Sequence, residues 1–125
     1  HGWILFPETI EVLVELKARG LKLGVISNFD DRIYPVLDSL QIRRYFDTIT
    51  ISSETGHCKP EPEIFEAAIR ALSEPPSKIL LVGDSLEDDV KAGIRAGLAA
   101  FLLDRKGRYP DANVPRIATL HEIIW

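Results

Sequence analysis

Behind Pro7-Glu8, a pair suited to a first helical turn, apolar residues recur at helical spacing at Ile10, Leu13, Val14 and Leu16 until Gly20 supplies a C-cap. Leu21 to Ile26 then form a short aliphatic and β-branched run, bounded by Gly20 and by Ser27-Asn28, which predicts a strand buried on both faces. Asp31 is placed to cap a second helix whose face is Ile33, Val36, Leu37 and Leu40, with Pro35 close enough to its start to be tolerated. Asp47 to Ile51 has the β-branched content of a strand, and Pro60 and Pro62 precede a helical pattern of Ile64, Phe65, Ala68, Ile69 and Leu72. After Pro75-Pro76, Lys78 to Val82 predicts another buried strand that ends at Gly83-Asp84. A helix from about Leu86 to Ala96 is stopped by Gly97, Leu98 to Leu103 predicts a further strand, and Asp104 to Pro115 reads as a loop. Thr119 with Glu122 makes a capping box for a short terminal helix.

Strands alternating with helices imply right-handed crossovers and a doubly wound parallel sheet with helices on both faces, so the fold class is α/β. With 125 residues, 46% of them hydrophobic, the chain has the size of one small domain. The net charge of -4 and the pI near 5.3 disfavour nucleic acid and anionic membrane surfaces as partners. Cys58 is the single cysteine, so an intrachain disulfide and an all-cysteine metal site are both excluded, in keeping with a reducing compartment. The apolar runs fall short of a membrane helix and no signal peptide is read, so the expected location is the cytoplasm. The chain starts at His1-Gly2-Trp3 and contains no Met, from which a processed or truncated chain is expected.

Ligands of such sheets bind beyond the carboxyl ends of the strands, and three polar clusters fall there. Ser27-Asn28-Phe29-Asp30 offers a hydroxyl and backbone N–H groups to an anion such as phosphate, although a helix cap accounts for the same residues. Lys59 stands beside a stiffening proline, where it serves either as a fixed charge over a phosphate or as an ordinary solvated lysine. His57 and Cys58 have no second His/Cys pair at metal-site spacing and are read as structural. Gly83-Asp84-Ser85-Leu86-Glu87-Asp88-Asp89 sets four acidic residues at a helix start. The helix dipole explains some of them, but Asp84 lies in the turn itself, where an oxygen ligand meets a hard cation such as Mg²⁺ and Asp88 or Asp89 supports it.

In order and spacing, VISN with Ser27, KPEPEIF with Lys59, and VGDSLEDDVKAGIRAG with Asp84, Asp88 and Asp89 resemble motifs II, III and IV of the haloacid dehalogenase superfamily. The resemblance covers nearly the whole chain, and LKLGVISNFDDR is most similar to the subgroup named haloacid dehalogenase-like hydrolase domain-containing protein 3. It implies a Rossmann-like core in which Ser27 and the backbone N–H of Asn28 hold the transferring phosphoryl group while Lys59 neutralises its charge. Asp84 would bind Mg²⁺, and Asp89, with Asp88 as the other candidate, would act through water or orient Lys59. Catalysis of this kind rests on positioning and electrostatics.

The superfamily carries its nucleophile in motif I, an Asp-x-Asp at the end of an N-terminal strand, and no Asp-x-Asp occurs in this chain. The expectation is therefore a partial core spanning residues 1–125 that lacks its central strand. Apolar sheet surface would be left exposed, or the two flanking edges would pair directly, and self-association is expected through an exposed edge. The full-length activity implied is Mg²⁺-dependent hydrolysis of a small phosphorylated molecule through an aspartyl-phosphate, with this chain alone inactive. The alternatives are an inactive fragment or pseudoenzyme scaffold and, disfavoured by the intact GDSLEDD run, a 2-haloacid dehalogenase. A dinucleotide-binding domain would want Gly-x-Gly-x-x-Gly where Ser-Asn-Phe-Asp stands.

Overall fold

The computed structural model of the chain describes residues 8–124. Its helices are α1 (Thr9–Ala18), α2 (Ile33–Ser39), α3 (Ser52–Thr55), α4 (Pro62–Leu72) and α5 (Ala92–Arg95). Its strands are β1 (Gly24–Ser27), β2 (Thr48–Ile51), β3 (Leu80–Gly83), β4 (Ala99–Leu103) and β5 (Arg116–Ile117). Pro7, which the sequence places at the head of α1, lies outside the described residues. At the other end of that helix Leu21 N donates to Leu16 O and Gly20 N to Lys17 O, with Gly20 at φ +80°, the left-handed closure that glycine permits. None of the described helices is long and apolar enough to cross a membrane.

Every strand pairing is parallel, but the pairings make two sheets, β1-β2 and β3-β4-β5. Successive residues of a strand face opposite sides, and β1 shows both sides covered. Val25 packs against the cluster that holds Ile33 and Leu37 of α2, whereas Ile26 packs against the cluster that holds Ile64 and Phe65 of α4. Leu81 of β3 joins the same cluster as Ile26, so the cluster formed by α4, α5 and Leu98 spans the junction between the sheets. The doubly wound α/β arrangement is thus present with its sheet in two parts.

Between those parts, β1 and β3 do not pair. Both line one cavity of about 1000 Å³, walled by Val25, Ile26, Leu80, Leu81 and Phe46 among others. Of the two outcomes expected for a core without its central strand, the edges stand apart and an apolar groove runs between them.

Several elements depart from the sequence expectation for local reasons. The run Leu21 to Ile26 becomes strand only from Gly24, because Asp47 accepts from Leu23 N at 2.7 Å and Asp47 N donates back to Leu23 O at 2.7 Å. Asp30, not Asp31, receives a backbone N–H ahead of α2, from Arg32 at 3.0 Å. Leu86 to Lys91 is a single wide turn with Val90 N donating to Ser85 O five residues back, and the α-helix proper begins at Ala92. On α1, Ile10 and Val14 face outward and Val12 is the buried residue. Glu122 reaches back to Thr119 N at 2.9 Å, the carboxylate half of the predicted box, over a 3₁₀ turn at Leu120–Ile124.

Candidate active site

Contacts of Lys59 with Asn28, just past β1, and with Asp89, past β3, bring the polar segments after the two strands together. Ser27 closes β1, and Asp84 follows β3 directly. Lys59, Asp84 and Asp89 line the groove between the sheets, whereas Ser27, Asn28 and Asp88 are not among its lining residues.

Lys59 is held at two points. Its backbone is clamped by the Asn28 side chain, which accepts from Lys59 N at 2.6 Å and donates to Lys59 O at 3.1 Å. Its ammonium donates to Asp89 Oδ1 at 2.6 Å, with the two side chains only 17% and 9% exposed. The other Asp89 oxygen accepts Ser85 N at 3.2 Å, so this carboxylate is oriented before any ligand arrives. Gly83 makes the approach feasible, since a Cβ there would stand 2.4 Å from Asp89 Cβ. Ser85 accepts Asp88 N at 3.1 Å and so caps the turn that carries Asp88 and Asp89.

The placement of Asp84 is different. It is exposed, and its carboxylate has no partner among the described residues. Ser27 Oγ is likewise unpartnered among them. Asp84, and Asp88 on the following turn, offer unpartnered carboxylate oxygens, the donor type a hard cation such as Mg²⁺ takes. Asp89, committed to Lys59 and Ser85, fits the role of orienting the lysine.

Three contributors escaped the sequence reading. The Asn28 side chain holds the Lys59 backbone, a pairing across the fold that no local spacing signals. Ser85 was legible as a Ser-x-x-Asp capping pattern ending at Asp88. Gly83 carries no signal in sequence except its position at a strand end. Cys58, read as structural, has its thiol pushed above the ordinary range, first by the hydrogen bond to the Glu61 carboxylate and then by burial, which disfavours a reactive thiolate.

A profile of the haloacid dehalogenase-like hydrolase family matches residues 1–97. The glyceraldehyde 3-phosphate phosphatase of Methanothermobacter thermautotrophicus is 36% identical over 100 residues, covering 79% of this chain and 44% of that protein. Haloacid dehalogenase-like hydrolase domain-containing protein 3 of Xenopus laevis is 34% identical over 106 residues, 85% of this chain and 43% of that one. Among solved structures, a HAD phosphatase from Thermococcus onnurineus superposes with a TM-score of 0.91 at 31% identity, over 95% of this chain and 56% of the other. The HAD-hydrolase YfnB of Bacillus subtilis, solved bound to magnesium, superposes at 0.87 with 25% identity over 95% and 54%. The chain thus spans about half the length of the relatives it matches.

Proposed function

The chain belongs to the haloacid dehalogenase-like hydrolase family, and from that premise we propose that its 125 residues form the phosphate- and metal-binding part of the core of a Mg²⁺-dependent phosphomonoesterase. The observation that carries this reading is the Lys59–Asp89 pair at the mouth of the groove, set beside an unpartnered Asp84. Similarity to named phosphatases supports the reaction class, and the magnesium-bound relative supports the ion.

In this reading Ser27 Oγ and the Asn28 backbone N–H donate to the oxygens of a small-molecule phosphate monoester. Lys59, prevented by Asp89 from swinging into solvent, places its ammonium against the same charge. Asp84 holds the metal, with Asp88 on the following turn in support. Mg²⁺, when bound, supplies positive charge that offsets repulsion between an anionic nucleophile and an anionic ester. We assign the nucleophilic carboxylate to a strand seated in the groove between β1 and β3 and contributed from outside the described residues. Phosphoryl transfer to that carboxylate expels the alcohol, and water then releases phosphate. Without such a strand the site binds its ligands and does not turn over.

The test is thermal unfolding with and without Mg²⁺ in Asp84→Asn beside the unaltered chain. The ion is expected to raise the melting temperature of the unaltered chain alone, with the ion-free melting temperatures equal. An equal Mg²⁺ response in both would remove Asp84 as ligand. Aryl phosphate hydrolysis by the 125 residues themselves would remove the assignment of the nucleophile.

A further inference from the structure

Away from the groove, His57 Nδ1 lies 3.9 Å from Glu61 Oε2 and 3.9 Å from Glu63 Oε1. One ligand atom of each residue falls within 4.8 Å of the other two. Zn²⁺ takes imidazole nitrogen at about 2.0–2.1 Å and carboxylate oxygen at about 2.0–2.2 Å, so a tetrahedral site sets such atoms about 3.3–3.5 Å apart.

The backbone bearing the three residues is already fixed. Thr55 Oγ1 donates to His57 O at 2.9 Å and accepts from His57 N at 3.2 Å. Glu61 sits between Pro60 and Pro62, and its Oε1 accepts Cys58 N at 2.7 Å, which leaves Oε2 directed toward His57. The start of α4 explains why acidic residues are tolerated at positions 61 and 63. An imidazolium there pairs with both carboxylates, and a neutral ring leaves one nitrogen and two carboxylate oxygens facing one another. Two carboxylates directed at one point repel, and a cation between them converts that repulsion into binding.

We propose that His57, Glu61 and Glu63 form a surface site for a late first-row divalent cation of the Zn²⁺ class, separate from the hard-cation site at Asp84 and independent of the phosphatase reading. Imidazole with two carboxylates is the donor set that selects such an ion over Mg²⁺. The three ligands bracket Lys59, so an ion there fastens from outside the loop that Asn28 and Asp89 hold from within.

Titration of the chain with Zn²⁺, followed by calorimetry and by the ¹⁵N shifts of the His57 ring, tests the site. One equivalent is expected to bind with a shift confined to Nδ1. His57→Ala and Glu63→Gln should each weaken binding by about tenfold or more, whereas Cys58→Ser and Asp84→Asn leave it unchanged. Both weakened variants alter side chains 41% and 49% exposed, so their unchanged melting temperatures serve as the folding control. Absence of saturable binding, binding that survives His57→Ala, or binding lost with Cys58 or Asp84 would each overturn the proposal.

Discussion

At the carboxyl ends of β1 and β2 the molecule presents donors: Ser27, Asn28 and, from the segment after α3, Lys59. At the carboxyl end of β3 it presents carboxylates: Asp84, Asp88 and Asp89. One half-sheet ends in hydrogen-bond donors and an ammonium, the other in carboxylates, and the Lys59–Asp89 contact at 2.6 Å is where they touch. The same contrast runs through how the residues are held. The Asn28 side chain and the Asp89 carboxylate are consumed by contacts within the protein, whereas the Ser27 and Asp84 side chains have none among the described residues. Residues that build the site and residues left for its ligands are thereby separable on each side.

The largest effect on this arrangement should come from α4, since the cluster around Phe65 is where Ile26 of β1 and Leu81 of β3 both pack. Phe65 is fully buried, and Phe65→Ala is expected to cost about 3–5 kcal/mol through lost transfer energy and the cavity left behind. Chemical denaturation would measure it, with Phe65→Leu losing much less. A cost below about 1 kcal/mol would mean that the half-sheets are joined elsewhere.

Next is the ion pair itself. Asp89→Ala leaves Lys59 and Ser85 N without their partner, but the open groove lets water reach the ammonium. The expected loss is about 1–3 kcal/mol, below that of breaking a fully enclosed pair. Asp89→Asn, which keeps an acceptor for Ser85 N, should lose less. Equal losses in the two variants would show that the charge facing Lys59, and not the acceptor for Ser85 N, carries the contact.

How much of this was readable beforehand divides along the same line. The candidate site residues follow strands in short polar clusters, and Ser27, Lys59, Asp84, Asp88 and Asp89 are legible as candidates from that position. The residues that support them depend on contacts between segments far apart in sequence. Asn28 reaches Lys59 across 31 positions, and Asp47 trims β1 across 24. β5 is two residues long and pairs with β4 only because Leu102 N donates to Pro115 O and Asp104 N to Ile117 O. A run that short has no periodicity to detect. The wide turn at Leu86–Lys91 reads as ordinary helix in sequence because its apolar spacing is intact; its geometry follows from Asp89 folding back onto Ser85 N and Gly83.

Acid should separate the halves further. Asp104 is buried after β4, and burial pushes its pKa up, but N–H groups of Tyr109 and Arg108 and the Arg116 guanidinium outweigh this and leave it below the ordinary 3.8. Asp47, on the other half, is also lowered, first by the Lys17 ammonium and then by Leu23 N, but its side chain is 40% exposed. A lowered folded pKa stabilises above the unfolded value, and that contribution is lost as pH falls through the folded pKa. Melting temperature should therefore fall as pH drops below 3.8, and the fall should flatten more in Asp104→Asn than in Asp47→Asn. The opposite order would place the acid-sensitive contact in the first half-sheet.

The smallest effect is expected from two serines in matching positions, Ser27 closing β1 and Ser85 two residues past the end of β3. Ser85 Oγ accepts Asp88 N at 3.1 Å, so Ser85→Ala removes a cap and should cost about 0.5–2 kcal/mol. Ser27 Oγ has no partner among the described residues, so Ser27→Ala should leave stability within about 0.5 kcal/mol. Its effect belongs instead to ligand binding, where inorganic phosphate should bind more weakly to Ser27→Ala than to Ser85→Ala. A destabilised Ser27→Ala with unchanged phosphate affinity would make this hydroxyl part of the scaffold, and the two half-sheets would then differ less in chemistry than their strand ends indicate.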